Sequence, residues 1–562
     1  MTPIVLCTSL CCCCRALKAD IRADSNRDGS VDIHGWSDHD HKLEWSNTAG
    51  AVLLANIGDT ARRCSRVAQQ TPSLSDEALA ACNDASDDIQ RSPQYMAPLR
   101  TVPLKGLSAQ AYATVAVNEE IARKNKELEQ GLHLGIDARD TRRPGGWDGR
   151  VKVHFHVQNG TDSSDDYVHL RVAPVITYNH IQPVKEFLTL SGKDTKGVPY
   201  QAQFVSDLQK ALKDTGVDRP LYLFNGSDPW IQDIVEPAYT CMPGPGGMLI
   251  TLEIMIRSSQ GSRVAGRQVF EYLRGTSRGA VYSTGGTRDE VDSMGNLETI
   301  PPHGYYPAGR VIEGHHGKFK PHVYEYMRAQ EIQDPLILDA DWLGVGHVDE
   351  FLQFLPYKNN LRGWVLFIAD PIGGIKLLED AKNEGPPDPY VPGDTINQLL
   401  SRPKFIEDNR RFASHIQKVQ LILQKETGLR DQDIYKVPIV FETGVCWGPD
   451  EGVSPERNCS REHAAALYPG VINGLVLSES QYLSPNPWGP RIDGKDIMAE
   501  ATREVYGAVG YNVTFIDNWY SHHRDGGEVH CGTNAIRRMS RSEKPWWKQD
   551  LTGPAPIRVQ NR

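Results

Sequence analysis

The chain has 562 residues, and 61 Lys or Arg against 71 Asp or Glu give it a formal net charge of −10. Hydrophobic residues make up 39% of the sequence, which is enough for folded cores and excludes a wholly disordered chain. An acidic protein is a poor candidate for a general nucleic-acid binder. No apolar run approaches the ~20 residues of a transmembrane helix. We expect several domains, at roughly 100–200 residues each.

The first residues form a separate segment. Residues 3–14 are apolar and include five crowded cysteines, and Ala16 and Ala19 provide small residues for a cleavage site before Asp20. The basic stretch that usually begins a signal peptide is missing. Residues 1–19 are therefore either a secretory leader or a disordered start, and palmitoylation of the cysteine cluster is a third alternative.

Two pairs of the remaining cysteines are close enough in sequence to form disulfides, Cys64 with Cys82 and Cys446 with Cys459. If both pairs form, Cys241 and Cys531 are left free.

The pattern of apolar and polar residues changes near residue 165. Before it, short apolar runs separated by polar turns predict a β-rich domain, with a surface loop or partial disorder from Gln69 to Pro98. After it, strand-like and helical runs alternate, which indicates an α/β domain of about 400 residues. Apolar residues spaced four apart predict a helix over Phe204–Leu212. A longer helix is predicted over Phe405–Leu429, ending near Gly428.

An acidic loop near the start carries oxygen side chains at every second position: Asp24, Asn26, Asp28, Ser30 and Asp32. Calcium takes six to eight oxygen ligands, so this spacing is typical of a calcium loop. Gly35 stands where an EF-hand has its bidentate Glu, which favours a β-sandwich calcium loop instead. The alternative is an ordinary turn of Asp, Asn and Gly.

Three further segments carry side chains suited to catalysis. Trp230 and Asp233 are close together, and an aromatic face beside a carboxylate suits a planar cation. His347 and Asp349 alternate along an extended segment, where the His would serve as general acid/base or metal ligand. Cys531 precedes a Gly that permits close backbone approach, so it is a candidate nucleophile. Each segment taken alone also fits a structural interpretation: a surface acid, a hydrogen-bonded His and a buried inert thiol.

Together these segments resemble the protein-arginine deiminases, which convert peptidyl-arginine to citrulline. The resemblance covers about residues 165–550 and includes Asp292–Pro302, Asp341–Pro356, Pro469–Gly494, Val513–Arg538 and Trp546-Trp547. It implies a pseudo-fivefold α/β propeller of ββαβ modules as the catalytic domain over residues 161–553, followed by a tail at 554–562. Residues 20–160 resemble the calcium-binding immunoglobulin-like β-sandwich that precedes the catalytic domain in animal enzymes. Their first N-terminal domain is expected to be absent.

The resemblance implies four catalytic residues and two that contact the substrate. Cys531 is expected to be the nucleophile and His347 the general acid/base. Asp233 and Asp349 are expected to bind and orient the guanidinium group. Trp230 is expected to line the arginine pocket and Arg263 to hold the substrate backbone. The chemistry agrees, because two carboxylates orient the guanidinium and localise its charge before a thiolate attacks its carbon.

Calcium is the cofactor that the resemblance implies. An inner active-site ion is expected, with these ligands: the side chains of Gln232, Glu236 and Glu298 and the carbonyls of Met294 and Leu297. A second active-site ion is not expected, because Ile234 and Ser258 occupy the stretches where the family has acids. A further ion is expected at Asp24, Asn26, Asp28 and Asp32. With one site lost, we expect a weaker calcium requirement than in animal relatives.

Two alternatives stay open. Deiminases and amidinotransferases of small guanidino compounds use the same Cys/His/two-acid chemistry, and a non-catalytic calcium-dependent binding protein is the rival from another class. We expect protein or peptide arginine substrates and no nucleic-acid partner, and the sequence is compatible with a homodimer. The location is expected to be cytoplasmic by resemblance, or secreted if residues 1–19 are a signal peptide.

Overall fold

A computed structural model describes residues 17–117, 120–192, 200–283, 285–381, 394–445, 462–539 and 543–548, and only the backbone at 120–126. Most of the leader, the pair Cys446 and Cys459 and the tail lie outside the described residues. Within the described ranges, no helix has the length and apolar character needed to cross a membrane.

The amino-terminal region is built from two sheets. Its strands are β1 (Ile21–Ala23), β2 (Ala51–Leu53), β3 (Ala97–Thr101), β4 (Tyr112–Ala116), β5 (Glu120–Lys124), β6 (His133–Ile136), β7 (Arg150–Asn159) and β8 (Asp162–Val172). Its helices are α1 (Arg63–Gln70), α2 (Asp76–Ala81) and α3 (Asn125–Gln130). One sheet has the order β1-β3-β6 and the other β2-β8-β7-β4-β5. Val153, Phe155 and Val157 alternate along β7 into the core, so this sheet buries one face.

Two details of this region differ from the sequence-based expectation. A division between residues 160 and 161 would cut the β7–β8 hairpin at its turn, since these strands pair from Arg150–Arg171 to Asn159–Asp162. The five-stranded sheet therefore continues to Val172. The tract from Gln69 to Pro98 contains α2 and a 3₁₀ turn and is ordered by buried contacts. For example, Asp84 is 2% exposed and accepts hydrogen bonds from the amide and hydroxyl of Thr60.

The cysteines in the described residues have the predicted pairing. Cys64 and Cys82 form a disulfide that joins α1 to the end of α2. Cys241 and Cys531 are free and buried. Burial raises the pKa of the Cys241 thiol far above its ordinary value, so this thiol is unreactive at neutral pH.

Strands and helices alternate through the rest of the described chain. The strands are β9 (Ile176–Thr177), β10 (Val184–Leu190), β11 (Leu221–Phe224), β12 (Val235–Pro243), β13 (Leu249–Arg257), β14 (Arg278–Tyr282), β15 (Leu297–Ile300), β16 (Arg310–His315), β17 (Leu336–Asp339), β18 (Leu352–Pro356), β19 (Trp364–Asp370), β20 (Ile434–Pro438), β21 (Phe441–Thr443), β22 (Ala464–Ala466), β23 (Leu475–Val476), β24 (Gln481–Pro485), β25 (Arg491–Ile492), β26 (Lys495–Asp496), β27 (Asn512–Ile516) and β28 (Thr533–Arg537). The helices are α4 (Gln201–Asp214), α5 (Ile231–Ile234), α6 (Val323–Gln330), α7 (Pro371–Asp380), α8 (Ile396–Leu400), α9 (Pro403–Thr427) and α10 (Ile497–Gly507). The two predicted helices correspond to α4 and α9, and Gly428 ends α9 in the left-handed conformation.

Five of the sheets repeat one strand order. In each, a first strand pairs antiparallel with a second, and the second pairs parallel with a third: β28-β10-β11, β12-β13-β14, β15-β16-β17, β18-β19-β20 and β23-β24-β27. Helical segments connect the second strand to the third, as a parallel pair requires. Strand β28 closes the repeat on β10. The α/β class is confirmed, and the repeated unit is the ββαβ order that the resemblance implied.

This repeat also explains where side chains of distant segments meet. The first strand of each sheet begins shortly after a residue of the candidate site: β28 after Cys531, β12 after Asp233, β15 after Met294, β18 after Asp349 and β23 after Asn473. Because the five strands occupy equivalent places in their sheets, equivalent ends of the repeats supply the site.

Candidate active site

Cys531 lines a cleft of about 720 Å³ together with Trp230, Asp233 and His347. Its Sγ lies 3.7 Å from Asp349 Oδ2 and 3.4 Å from an Asn473 side-chain oxygen. Burial, with the charges of Asp349 and Asp233, raises the pKa of the Cys531 thiol well above its ordinary value. A cation bound beside the sulfur would oppose this rise and favour the thiolate.

His347 places one ring nitrogen toward the cleft and anchors the other. Its Nε2 donates to the carbonyl oxygen of Glu290 at 2.9 Å, and its Nδ1 is 3.7 Å from Asp233 Oδ1. Burial lowers the pKa of this imidazole, but Asp233, Asp349 and Glu290 outweigh it, so the pKa is raised overall. Since the backbone carbonyl holds the Nε2 proton, Nδ1 is the atom that exchanges a proton with the cleft.

The two carboxylates each have one engaged and one unengaged oxygen. Asp233 Oδ2 accepts a hydrogen bond from Arg263 at 3.0 Å, and Asp349 Oδ2 accepts one from His530 Nδ1 at 2.9 Å. In the described part of the chain, both Oδ1 atoms are buried without a hydrogen-bond partner. Burial raises the pKa of Asp233 to about 7, although Arg263 and His347 oppose that rise. Two buried oxygens without donors fit a ligand that carries several N–H groups.

The 3₁₀ turn Met294–Asn296 packs tightly against this cluster. A Cβ on Gly295 would lie 2.6 Å from Asp233 Oδ1 and 2.8 Å from His347 Nδ1, closer than van der Waals contact allows. A glycine at this position therefore lets the turn approach both reacting side chains.

Arg263 lies in the cleft with its guanidinium already engaged. It contacts Asp228 at 3.1 Å, Asp233 at 3.0 Å and Glu290 at 2.8 Å. These three carboxylates outweigh burial and raise the pKa of Arg263, so it is a permanent cation. In this structure Arg263 holds acids of the site, whereas a contact with the substrate backbone was expected from the sequence.

Three of the five expected inner calcium ligands, Gln232, Glu236 and Glu298, lie near one another. Gln232 Nε2 donates to Glu236 Oε2 at 3.0 Å, and His530 Nε2 is 3.4 Å from Glu298 Oε1. Burial and the neighbouring Glu298 raise the pKa of Glu236 well above its ordinary value, and burial raises that of Glu298 to about 7. Two neighbouring carboxylates that are largely shielded from solvent fit a hard divalent cation, and Met294 and Leu297 lie in the turn and at the strand start just before Glu298 in sequence.

From the sequence, no second active-site ion is expected, because Ile234 and Ser258 stand where the family has acids. Ile234 is completely buried, and the Ser258 hydroxyl donates to the carbonyl oxygen of Asp292 at 3.0 Å. Asp292 uses both carboxylate oxygens on neighbouring amides and a hydroxyl.

The acidic loop folds around Asp24. Its two carboxylate oxygens accept the amides of Asp28 and Gly29 at 3.0 and 2.9 Å, and the Asn26 side chain accepts the amide of Asp28. Burial, and then the nearby charge of Asp38, raise the pKa of Asp24 to about 6. Asp32 instead accepts the amides of residues 34 and 35. The loop therefore has the hydrogen bonds of an Asx turn and an excess of negative charge that suits a cation.

Three site residues were not singled out from the sequence: Asn473, His530 and Glu290. Each lies in or beside a segment that carries the resemblance, so proximity to those segments was the available signal. Their contacts depend on chain segments more than 50 residues away.

Comparisons with known proteins identify the family. The family model for "Protein-arginine deiminase (PAD)" matches residues 162–548. Protein-arginine deiminase type-3 of Homo sapiens is 29% identical over 467 residues, which are 77% of this chain and 64% of that protein. Type-4 of Mus musculus is 30% identical over 404 residues, 68% of this chain and 56% of that protein. The chain thus spans less than two thirds of the length of these relatives.

Solved structures of more distant proteins align as well. "C. Jejuni Agmatine Deiminase" aligns with a TM-score of 0.37 and 11% identity, over 65% of this chain and 97% of that one. "Crystal structure of a putative peptidyl-arginine deiminase" aligns with a TM-score of 0.36 and 8% identity, over 65% and 99%. The family assignment comes from the family model, which covers more than half of the sequence: this chain belongs to the protein-arginine deiminase family.

Proposed function

We propose that the protein hydrolyses the guanidinium group of arginine residues in proteins or peptides, producing citrulline and ammonia. Family membership supports this proposal. The observation that carries it is the cluster of two acids, a thiol and an imidazole: Asp349 Oδ2 is 3.7 Å from the Cys531 sulfur, and Asp233 Oδ1 is 3.7 Å from His347 Nδ1. In the described residues, the Oδ1 atoms of both acids are buried without a hydrogen-bond partner. A guanidinium supplies five N–H donors in a planar fork, which suits two acids that lie close to one thiol.

The proposed reaction begins when the substrate cation enters between the carboxylates. Its charge opposes the effect of Asp233 and Asp349 on the thiol, so Cys531 loses its proton to solvent and attacks the guanidinium carbon. Protonated His347 passes a proton from Nδ1 to the departing nitrogen, and ammonia leaves a covalent thiouronium on Cys531.

The second half of the reaction uses the same residues in reverse. Neutral His347 accepts a proton from a water molecule, which attacks the thiouronium carbon. The carbon–sulfur bond then breaks, the added hydroxyl gives up its proton to become the carbonyl of citrulline, and that proton restores the Cys531 thiol.

Calcium is proposed to support this chemistry. The inner ion would be held by Gln232, Glu236 and Glu298 with the carbonyls of Met294 and Leu297, and it would supply positive charge beside the cleft. We propose no second active-site ion and a weaker calcium requirement than in animal relatives. Asp24, Asn26, Asp28 and Asp32 are proposed to bind a further ion that stabilises the amino-terminal region by mass action.

The amino-terminal region is proposed to be an immunoglobulin-like β-sandwich that begins at residue 20. Its two sheets share an apolar core and support this assignment. We propose that it ends after β8, since β7 and β8 form one hairpin.

The test is a citrulline assay that compares a blocked arginine ester, free arginine and agmatine, each with calcium and with EGTA. We expect turnover of the blocked arginine and none by Cys531→Ala. Asp233→Asn and Asp349→Asn should each lose about 1.5–3 kcal/mol of charge-assisted hydrogen bonding, roughly 10–150-fold in kcat/KM. Cys241→Ala is the matched control, because Cys241 is also a free buried thiol but does not line the cleft.

Three results would overturn the proposal. Near-normal turnover by folded Cys531→Ala would show that Cys531 is not the nucleophile. Preference for free arginine or agmatine would indicate an enzyme of small guanidino compounds. Calcium binding without turnover of any of the three substrates would indicate a binding protein.

A further inference from the structure

Two histidines and an aspartate converge on the exposed face of the five-stranded sheet. His154 Nε2 is 2.6 Å and His156 Nδ1 is 2.9 Å from the same carboxylate oxygen, Oδ1 of Asp165. The three ligand atoms of these residues lie within 4.8 Å of one another. None of the three residues lines the catalytic cleft or belongs to the expected calcium sites.

The strand register explains the convergence. His154 and His156 are two residues apart on β7, so their side chains point to the same face. Asp165 on β8 is the direct cross-strand partner of His156. The opposite face, with Val153, Phe155 and Val157, is fully buried, so a packed core supports the strands beneath the cluster.

Neighbouring side chains orient the cluster without blocking it. The Tyr167 ring stacks on His154 with ring centroids 4.6 Å apart and an interplanar angle of 14°. The ammonium of Lys152 lies over the same Tyr167 ring, 3.9 Å from its centroid. The side chains of His154 and His156 are 36% and 26% exposed, which leaves the cluster open to solvent.

We propose that His154, His156 and Asp165 form a binding site for a divalent transition metal, with zinc as the expected ion. Two imidazole nitrogens and one carboxylate oxygen are borderline ligands that suit zinc, copper, nickel or cobalt, whereas calcium and magnesium prefer oxygen ligands alone. Water completes a tetrahedral zinc from the exposed side.

The hydrogen bonds to Asp165 determine what must change when a metal binds. Each ring donates an N–H to Asp165, so the same two nitrogens must present lone pairs when the metal binds. Neutral imidazoles achieve this by moving the proton to the other ring nitrogen, and protonated ones by releasing a proton. Hydrogen bonds from His156 and His154 lower the pKa of Asp165, so its carboxylate is ionised at neutral pH.

The test is calorimetric titration of the chelator-stripped full-length protein with zinc chloride and separately with calcium chloride. We expect one zinc ion whose affinity falls at least about 10–100-fold in His154→Gln, His156→Gln and Asp165→Asn. His169→Gln is the matched control, because His169 lies on β8 with Asp165 but outside the cluster. It should bind zinc like the wild type.

Cobalt substitution separates this site from the catalytic thiol. The cobalt-loaded protein should show visible d–d bands without a thiolate charge-transfer band, and Cys531→Ser should leave them unchanged. Citrulline formation by His156→Gln in the absence of zinc should equal that of the wild type, which also verifies its fold. Any of three results would overturn the proposal. The wild type would bind no zinc, or His154→Gln and His156→Gln would bind zinc as tightly as the wild type, or equimolar calcium would displace the zinc.

Discussion

At the scale of single residues, the ionisation of Asp233 is set by opposing effects of burial and charged neighbours. Burial raises its pKa to about 7, Arg263 and His347 lower it, and Glu290 and Asp349 raise it. A substrate guanidinium needs the ionised form, so the neighbours of Asp233 set the pH range in which the proposed reaction runs.

Replacing Arg263 by Gln should move the acidic limb of the pH profile. The variant removes the positive charge 3.0 Å from Asp233, so the pKa of Asp233 rises above about 7 and less of the carboxylate is ionised at neutral pH. We expect the acidic limb of kcat/KM to shift to higher pH, measured against wild type and Arg288→Gln. Arg288 lines the same cleft without contacting Asp233. An unshifted limb in Arg263→Gln would contradict this balance of charges.

Asn473 is expected to position the nucleophile. Its Oδ1 accepts hydrogen bonds from the Cys531 amide at 3.3 Å and the thiol at 3.4 Å, and its Nδ2 donates to the carbonyl oxygen of Asp349. Asn473→Ala should therefore lower kcat by about 100-fold and leave KM nearly unchanged, because the reacting atoms lose their alignment. Steady-state kinetics and the rate of Cys531 alkylation measure the effect. Asn512→Ala, at an exposed position of β27, is the control, and an equal loss there would indicate a general defect.

At the scale of elements, short turns before equivalent strands build the site. The turn Met294–Asn296 precedes β15, and the turn Val348–Glu350 precedes β18. Glu350 fixes the second turn by accepting the amides of Gly346 and His347 at 2.9 and 2.8 Å. The strands provide rigid support, and the turns determine which side chains face the cleft.

Gly295→Ala should disturb the turn beside Asp233 and His347, and so reduce turnover, without unfolding the protein. The added methyl group would collide with Asp233 and His347, so we expect turnover to fall by about 100-fold while the circular dichroism spectrum is retained. Gly507→Ala in α10 is the matched control, since its Cβ would meet no atom within 4 Å. It should keep full activity and gain up to about 1 kcal/mol in unfolding free energy. Full turnover by Gly295→Ala would show that the turn can move away.

At the scale of the whole molecule, the amino-terminal region and the catalytic repeats are packed together. Arg171 on β8 forms two hydrogen bonds of 2.7 Å with Glu331, and its guanidinium lies 4.6 Å from the Trp45 centroid. Trp45 in turn lies near Trp546, with centroids 6.3 Å apart. One apolar core includes residues of both regions, so loss of either is expected to destabilise the other.

Calcium should reverse the pH dependence of stability. The pKa of Glu298 is raised from 4.5 to about 7, and that of Glu236 is also raised, so the folded protein binds more protons than the unfolded chain in this range. In EGTA, the free energy of unfolding contributed by these groups is present below pH 4.5 and falls as pH rises through about 7. Calcium binds the ionised carboxylates and should restore the loss at high pH.

Urea unfolding across this pH range, in EGTA and in calcium, measures the effect. Glu298→Gln should flatten the decline in EGTA and reduce the stabilisation by calcium. Asp162→Asn, an exposed acid at the hairpin turn, is the control and should behave as the wild type. A stability that rises with pH in EGTA over this interval would contradict the assignment.

The sequence alone determined the features that depend on local pattern. Apolar spacing predicted α4 and α9, the charge and apolar content excluded several classes of protein, and short motifs around Cys531, His347, Asp233 and Asp349 indicated the family. These signals are readable because a helix, a turn or a motif is specified by residues a few positions apart.

The tertiary structure decided which distant groups meet. Asn473 contacts the Cys531 thiol, and Arg263 contacts Asp233. His530 lies between Asp349 and Glu298. Asp165 contacts two histidines of the neighbouring strand. None of these contacts follows from local propensity, because each depends on strand register or on how separate repeats pack. Burial, which raises the pKa of the carboxyl groups of Asp233 and Glu298, is likewise a property of the assembled fold.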